Sequence, residues 1–157
     1  MKGVKKMDID MLFFIFLLIV LVGVFTYQMA FIFYIKIYEK KPTFIYITHC
    51  VISLFFLMIG IYFGTEIIHY LTTIIISLIF LVSPFTTGLT KNKVIYEPNL
   101  TGLSRMAPKK QPYSNINKIS TEKENNILNL NILFKNKKVV KMTFNIDKEE
   151  IIKEIIM

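Results

Sequence analysis

Three long apolar runs occupy most of the first 90 residues of this 157-residue chain. They span residues 11–35, 43–63 and 67–85, and each contains at most one or two groups that ionise. An α-helix rises about 1.5 Å per residue, so each run is long enough to cross a hydrocarbon layer about 30 Å thick. A soluble domain of this size has no use for three such segments. The sequence therefore predicts a region of three transmembrane helices over residues 1–90.

The remaining residues, 91–157, differ from the runs in composition and charge. The whole chain has a formal net charge of +8, and residues 91–157 carry 13 Lys and Arg against 7 Asp and Glu. A basic segment beside a membrane is typical of the cytoplasmic face, where lipid headgroups are anionic. The usage of Lys, Asn and Ile also fits an AT-rich bacterial genome, which is the alternative explanation of the lysine excess. No aromatic and basic recognition motif accompanies the charge, so we expect no nucleic-acid partner.

The connections between the runs predict an orientation in the membrane. The first connection, residues 36–42, contains three lysines, whereas the second, residues 64–66, contains none. The segment after the third run begins with Lys91 and Lys93. Because cytoplasmic connections carry an excess of Lys and Arg, we expect the first connection and the tail in the cytoplasm. We therefore predict a multi-pass protein of the cell inner (plasma) membrane with N-out/C-in orientation. The lysines of residues 1–10 argue against this orientation, because it places them outside the cell.

Two segments of the tail alternate apolar and polar residues, as strands with one buried face do. They are residues 128–134 and 140–146, and a lysine-rich turn separates them. Weaker patterns predict an earlier strand pair, residues 93–97 and 103–107, and a further strand that follows a turn within residues 112–119.

The last segment, residues 147–157, has the pattern of a helix. Asp147 precedes Glu150 by three positions, which is the spacing of a capping box. An apolar stripe follows at helical spacing and consists of Ile151, Ile152, Ile155 and Ile156. A helix this short is not stable alone, so we expect it to pack on the sheet. Residues 91–157 are thus predicted to form a small α+β C-terminal domain, in which one antiparallel curled sheet is closed by one C-terminal helix.

Three parts of the tail carry a resemblance to a known family. Residues 95–103 are similar to its opening of strand, turn, glycine and apolar residue, residues 112–119 to its aromatic-x-x-Ile-x-x-Ile strand, and residues 147–152 to its closing helix. The chain resembles small bacterial membrane proteins in which N-terminal transmembrane helices precede a C-terminal domain like the pleckstrin-homology (PH) domain. The resemblance implies a PH-like cytoplasmic domain over residues 91–157, without a catalytic signature.

No enzyme motif is present in the sequence, which lacks a P-loop, a Gly-rich dinucleotide turn, HExxH and GxSxG. Its only metal-binding imidazoles and thiol are His49, His69 and Cys50. We interpret Glu66 and His69 as a polar turn at the membrane interface, and His49 as a neutral histidine bonded to a neighbouring helix. The alternative for Glu66 and His69 is a metal or proton site. The alternative for His49 is that it forms part of a functional site, because ionisable groups inside a membrane are often functional. We expect no enzymatic activity, no metal site and no cofactor.

The densest basic group of the tail consists of Arg105, Lys109 and Lys110. PH-like domains present variable loops in this region. One interpretation is contact with lipid headgroups, to which each basic residue near an anionic surface contributes about 1 kcal/mol, and the alternative is a solvated loop. The expected partners are the lipid bilayer, anionic headgroups and a membrane or cytoplasmic protein.

The leading functional hypothesis is non-enzymatic. A three-helix anchor presents a small basic PH-like domain at the cytoplasmic face of the membrane, where it acts as a scaffold or regulator. The alternative hypothesis is a bacteriocin immunity protein or an accessory subunit of a membrane transporter, because small polytopic proteins of this size resemble both.

Overall fold

The computed structural model describes residues 9–97 and 108–156. Within these ranges, three helices are long and apolar enough to cross a membrane. They are α1 (Ile9–Tyr34), α2 (Thr43–Phe63) and α3 (Ile67–Val82), the last of which continues into a 3-10 turn, Ser83–Phe85. Pro84 lies in that turn, where the proline ring removes an amide donor and ends the α-helix. The three predicted apolar helices are confirmed and fit a multi-pass membrane protein.

Helix α3 contacts both α1 and α2. Between α2 and α3, the hydroxyl of Ser77 donates to the carbonyl oxygen of Ser53 over 2.6 Å, and the two hydroxyl oxygens lie 2.6 Å apart. Further along the same pair, a Cβ on Gly60 would overlap the hydroxyl of Thr73. Small residues and interhelical hydrogen bonds hold helices together in lipid, where the hydrophobic effect does not. The α2–α3 contact is therefore a specific one.

The strands are short in the first half of the β region and longer in the second. They are β1 (Ile37–Tyr38), β2 (Gly88–Leu89), β3 (Lys93–Tyr96), β4 (Lys109–Pro112), β5 (Ile116–Glu124), β6 (Ile127–Phe134) and β7 (Val139–Asn145). Within the ranges described, they form two antiparallel sheets with the orders β1-β2-β3-β4 and β5-β6-β7. Helix α4 (Glu149–Ile156) follows β7 after a 3-10 turn. The predicted antiparallel region with a C-terminal helix is confirmed.

The prediction of one curled sheet closed by the C-terminal helix is wrong in one respect for the part of the chain that the structure describes, since the strands there belong to two sheets. The break falls after β4, where Pro112 lacks an amide hydrogen and a 3-10 turn, Tyr113–Asn115, redirects the chain. Strand β3 agrees with the strand predicted at residues 93–97 and pairs with β4. The other predicted strand of that pair, residues 103–107, lies outside the described residues.

Strand β1 comes from the connection between α1 and α2, which the sequence indicated only as a lysine-rich loop. Ile37 lies opposite Leu89 of β2, and Tyr38 lies opposite Gly88. A Cβ on Gly88 would overlap the carbonyl oxygen of Ile37, so this close approach of two backbones requires glycine. The four-stranded sheet thus takes strands from both sides of the boundary predicted at Lys91.

Backbone hydrogen bonds extend the attachment of this connection beyond β1. Its amides donate to carbonyl oxygens of the β region over 2.8, 3.1 and 2.7 Å, namely Lys36 to Leu89, Glu39 to Thr87 and Lys40 to Thr143. The last of these bonds reaches β7 of the other sheet. The first connection and the tail therefore lie at the same end of the three long helices.

The two sheets and α4 share one hydrophobic core. The alternating apolar residues that predicted β6 and β7 are buried in it, except Ile146, which lies in the 3-10 turn after β7 and is half-buried. Helix α4 contributes Ile152, which is 2% exposed. Ile151, from the same predicted stripe, is instead 44% exposed. Asp147 lies in the 3-10 turn before α4, with its carboxylate 3.3 Å from Nζ of Lys148, and does not cap the helix.

Strand β3 is buried on both of its faces. Val94 and Tyr96 contribute to the core between the sheets. Ile95 points the other way and packs on Phe31 of α1 and on Ile35, which follows that helix. The membrane helices and the β region are therefore one packed structure, joined at the end of α1.

Candidate functional site

The two histidines bond to nearby backbone atoms. Nδ1 of His69 accepts the amide hydrogens of Thr65 and Glu66, each over 3.3 Å, at the start of α3. A side chain that reaches back to the amide before a helix is half of a capping box, which agrees with the predicted polar turn. Nδ1 of His49 lies 2.8 Å from the carbonyl oxygen of Ile45 on its own helix. The predicted bond from His49 to a neighbouring helix is therefore wrong.

Metal-ligating side chains do not gather in the part of the chain described. No group of three or more His, Cys, Asp or Glu within residues 9–97 and 108–156 is arranged to hold a metal ion. Cys50 is exposed on α2. Several lysines instead come together near the end of α1.

The residues predicted to contact headgroups do not share one position. Lys109 and Lys110 are consecutive exposed residues of β4, and successive side chains of a strand point to opposite faces. Lys110 lies opposite Ile95, which faces α1, whereas Lys109 lies opposite Tyr96, which faces the core. Lys110 is thus on the side of the sheet beside α1. Arg105 lies outside the described residues.

A cavity of about 630 Å³ opens beside Lys110, between the end of α1 and the turn that joins β2 to β3, and we call it the α1 cleft. One wall belongs to α1 and consists of Tyr27, Ala30, Phe31, Phe33 and Tyr34. The other wall consists of Thr90, Asn92, Ile95 and four lysines, namely Lys36, Lys91, Lys93 and Lys110. Among the described residues that line the cleft, none is Asp or Glu. The α1 cleft therefore has an apolar wall and a basic wall.

The turn that carries Lys91 and Lys93 is held in place by two side chains. The hydroxyl of Thr90 accepts the amide hydrogen of Lys93 over 2.9 Å and donates to its carbonyl oxygen over 3.0 Å. The hydroxyl of Tyr113 donates to the carbonyl oxygen of Thr90 over 2.5 Å. Burial raises the pKa of Tyr113 to about 12, so this phenol stays a neutral donor near pH 7. The basic wall is thus preformed.

The lysines of the α1 cleft are not neutralised by protein carboxylates in the described ranges. The ion pairs there use other lysines, which are Lys41, Lys123, Lys148 and Lys153. A second cavity of about 400 Å³ adjoins the cleft and shares Lys36, Lys91 and Asn92 with it. Its remaining wall belongs to α4 and includes Glu154. Lys36 and Lys91 therefore share this second cavity with Glu154, whereas Lys93 and Lys110 line the α1 cleft alone.

A nearly buried ion cluster lies at the same membrane face. Nζ of Lys41 is 2.9 Å from a carboxylate oxygen of Glu39 and 3.4 Å from one of Glu97. The side chains of Lys41 and Glu39 are only 10% and 11% exposed. Glu39 and Lys41 belong to the first connection and Glu97 follows β3, so this cluster fastens the connection to the sheet. Lys41 therefore has a structural role.

Sequence reasoning missed the α1 cleft because its lysines are distant along the chain. Lys36 and Lys91 are separated by α2 and α3. Each is the first charged residue after an apolar run, a position that predicts orientation in the membrane but not which lysines meet. Comparison with models of protein families, with curated proteins and with solved structures finds no match for this chain.

Proposed function

We propose that this chain is a non-enzymatic membrane protein that presents a small PH-like domain at the cytoplasmic face of the inner (plasma) membrane, as a scaffold or regulator of another protein. A four-stranded and a three-stranded antiparallel sheet that share a core with a C-terminal helix support the PH-like interpretation. The bonds of His49 and His69 to nearby backbone atoms support a structural role for both imidazoles.

The pairing of β1 with β2 at the edge of the four-stranded sheet is the observation that carries this proposal. A domain on a flexible tether would take up many positions relative to the bilayer. Here the domain is attached through β1 and through the packing of Ile95 on Phe31. Its surface is thus held at a fixed height above the membrane, which suits a protein that positions a partner there.

The distribution of charge supports placement of the domain in the cytoplasm. Lys36, Lys40, Lys91 and Lys93 are exposed on the side of the membrane where β1 and β2 pair. The connection on the opposite side has Glu66 as its charged residue. Lysine-rich connections favour the cytoplasmic side, and its leaflet attracts basic segments.

Cysteine labelling of the full chain tests the placement. Cys50→Ala removes the native thiol, and Ser120→Cys puts a thiol of similar size on the exposed strand β5. Thr65→Cys, in the connection between α2 and α3, is the matched reporter for the other face. We expect a membrane-impermeant maleimide to label Thr65→Cys in intact cells and Ser120→Cys only after permeabilisation. The reverse pattern would contradict cytoplasmic placement.

Photo-crosslinking in living cells tests the role as a scaffold or regulator. A photoreactive amino acid is placed in turn at three exposed positions, namely Ser120 and Glu122 of β5 and Asn136 in the turn between β6 and β7. We expect a discrete protein adduct from at least one of them, because a scaffold must contact its partner. The same amino acid at Phe16, an exposed residue of α1, is the control for chance contacts in the membrane. Protein adducts absent from all three β positions would contradict the proposal.

A further inference from the structure

We propose that the α1 cleft binds one anionic glycerophospholipid, with its phosphate on the lysines and part of an acyl chain along α1. This inference names a ligand for the protein of the proposed function. It rests on the proposed function only in one point, which is the membrane leaflet that supplies the lipid. The binding itself follows from the shape, the position and the charge of the cleft.

The position of the cleft requires an occupant that is polar at one end and apolar at the other. Its α1 wall extends from Tyr27 to Tyr34, and seven residues of helix rise about 10 Å. Lys36 follows the end of this membrane helix, so the lysines lie at the level of the headgroups. A phospholipid in the bilayer has its phosphate and its acyl chains at these two depths.

The charge of the cleft selects an anion. No described residue that lines the cleft is Asp or Glu, and Glu154, which shares the adjoining cavity with Lys36 and Lys91, forms none of the ion pairs in the described ranges. Bringing the four lysines together therefore leaves a repulsion that an anionic ligand relieves. Basic residues near a bilayer attract anionic lipids, and aromatic residues at the end of a membrane helix prefer the interface. A zwitterionic headgroup would bring its own cation to the lysines and bind less tightly.

The cleft is also preformed, which lowers the cost of binding. Thr90 and Tyr113 fix the turn that carries Lys91 and Lys93. Lys110 is on a paired strand opposite Ile95. Binding therefore does not have to order these backbone segments. A soluble phosphate would use the lysines but leave the α1 wall uncovered, so a lipid matches the whole cleft better.

Fluorescence quenching by brominated lipids tests the proposal on the full chain. The chain contains no tryptophan, so Phe33→Trp places one reporter in the wall of the cleft. The protein is reconstituted into vesicles that contain either brominated phosphatidylglycerol or brominated phosphatidylcholine at the same mole fraction. We expect phosphatidylglycerol to bind about fivefold more tightly, or better, given the contribution of each nearby lysine. Equal binding of the two lipids would overturn the proposal.

Charge-matched variants locate the preference in the cleft. Lys36→Gln with Lys91→Gln should bring the ratio of the two binding constants close to one. Lys118→Gln with Lys141→Gln removes two exposed lysines of the second sheet and should leave the ratio unchanged. If the two pairs of substitutions lowered the ratio equally, general surface charge would be attracting the lipid. That result would overturn binding in the cleft.

A change of shape provides a second test that leaves the lysines intact. Ala30→Phe fills the α1 wall and should abolish the preference for phosphatidylglycerol, whereas Val22→Phe, on an exposed position of α1 beyond the lining residues, should keep it. Quenching by phosphatidylcholine in each variant verifies insertion into the bilayer. A preference that survives Ala30→Phe would overturn binding along α1.

Soluble glycerol phosphate distinguishes a lipid site from a site for free phosphate. Added at the concentration of the anionic lipid, it should leave the quenching unchanged, and displacement of the lipid would overturn the proposal in favour of a soluble anion. Because the vesicles are symmetrical, these results do not depend on orientation. A failure of lipid binding is therefore distinct from a failure of the cysteine-labelling experiment.

Discussion

Lys40 and Lys41 are neighbours with the same charge, yet the structure uses them differently. Lys41 has a side chain that is only 10% exposed and makes ion pairs with Glu39 and Glu97. Lys40 is exposed, and its contact with the β region is made by its backbone amide. The two positions therefore form a natural pair for comparing a buried with an exposed lysine.

Lys41→Met should destabilise the protein by about 2 kcal/mol. Methionine keeps much of the side-chain volume but leaves the carboxylates of Glu39 and Glu97 close together without their cation. Lys40→Met removes the same charge from an exposed position and should change stability by less than about 0.5 kcal/mol. Thermal unfolding of the two variants in the same detergent measures the difference. Equal unfolding temperatures would contradict the structural role of Lys41.

The sequence alone could predict that both lysines lie near a membrane surface, but not which one pairs. The partner Glu97 is 56 positions away from Lys41, and no local pattern joins them. The same limit applies to the α1 cleft, where Lys36 and Lys91 meet only because α2 and α3 return the chain to the same face. Side-chain partners across a membrane hairpin follow from tertiary structure.

Helix α4 shows which features of a helix its local sequence pattern predicts. Its isoleucines predicted an apolar stripe that packs on the sheet, and Ile152 does so, but Ile151 is 44% exposed. The 3-10 turn at Ile146–Lys148 delays the start of α4 to Glu149, and Ile155 and Ile156 of the same stripe pack against the core. The helix and most of its buried face were predictable, while its start depended on the preceding turn.

Ile152→Asp should unfold the β region or cost at least about 3 kcal/mol, because it places an unpaired carboxylate in the shared core. Ile151→Asp makes the same chemical change one position earlier, at an exposed site, and should cost less than about 1 kcal/mol. Limited proteolysis and thermal unfolding of both variants in detergent measure the effect. If Ile151→Asp were as disruptive as Ile152→Asp, the observed docking of α4 would be wrong.

The attachment of α4 should also depend on pH. The hydrogen bonds from Lys123 of β5 and from Lys153 lower the pKa of Glu149 below its ordinary value of 4.5. A carboxyl group with a lowered pKa in the folded state stabilises it above the unfolded pKa, and this contribution is lost as the pH falls through the folded pKa. Acidification below about pH 4.5 should therefore weaken the contact between α4 and β5.

Glu149→Gln tests this dependence. The variant should unfold more easily than the native chain at pH 7, and the difference between them should shrink below pH 4.5. Glu154→Gln, at an exposed position of the same helix, should follow the native chain at every pH. Unfolding temperatures measured by circular dichroism in detergent provide the comparison. A difference that persists unchanged in acid would contradict the role of the carboxylate.

Strands that bury only one face were the easiest to predict from the sequence. Strands β6 and β7 bury one face, so alternation revealed them almost to their ends. Strand β3 buries both faces and shows no alternation, and β1 and β2 are two residues each, too short for any pattern. The pairing of β1 with β2 depends on Gly88, whose role is visible only beside the backbone of Ile37.

At the scale of the whole molecule, the membrane region and the β region are interdependent. One strand of the four-stranded sheet, β1, lies between two membrane helices. In the other direction, Ile95 of the sheet covers Phe31 and Ile35 at the end of α1. The division at Lys91 was readable as a change in composition, because the membrane and water select different residues. The contact between the two regions could not be predicted from composition, because it consists of ordinary apolar residues and backbone hydrogen bonds.

We conclude that the connection between α1 and α2 is part of the β domain. Amide hydrogen exchange, resolved by NMR on the full chain in micelles, tests this attachment. The amides of Lys36, Glu39 and Lys40 donate to the β region and should exchange as slowly as that of Ile95 in β3, and far more slowly than those of the exposed turn at residues 125–126. Exchange of the three amides at the rate of that turn would contradict the claim, because the connection would then be a free loop and the β domain would not be fixed to the membrane through it.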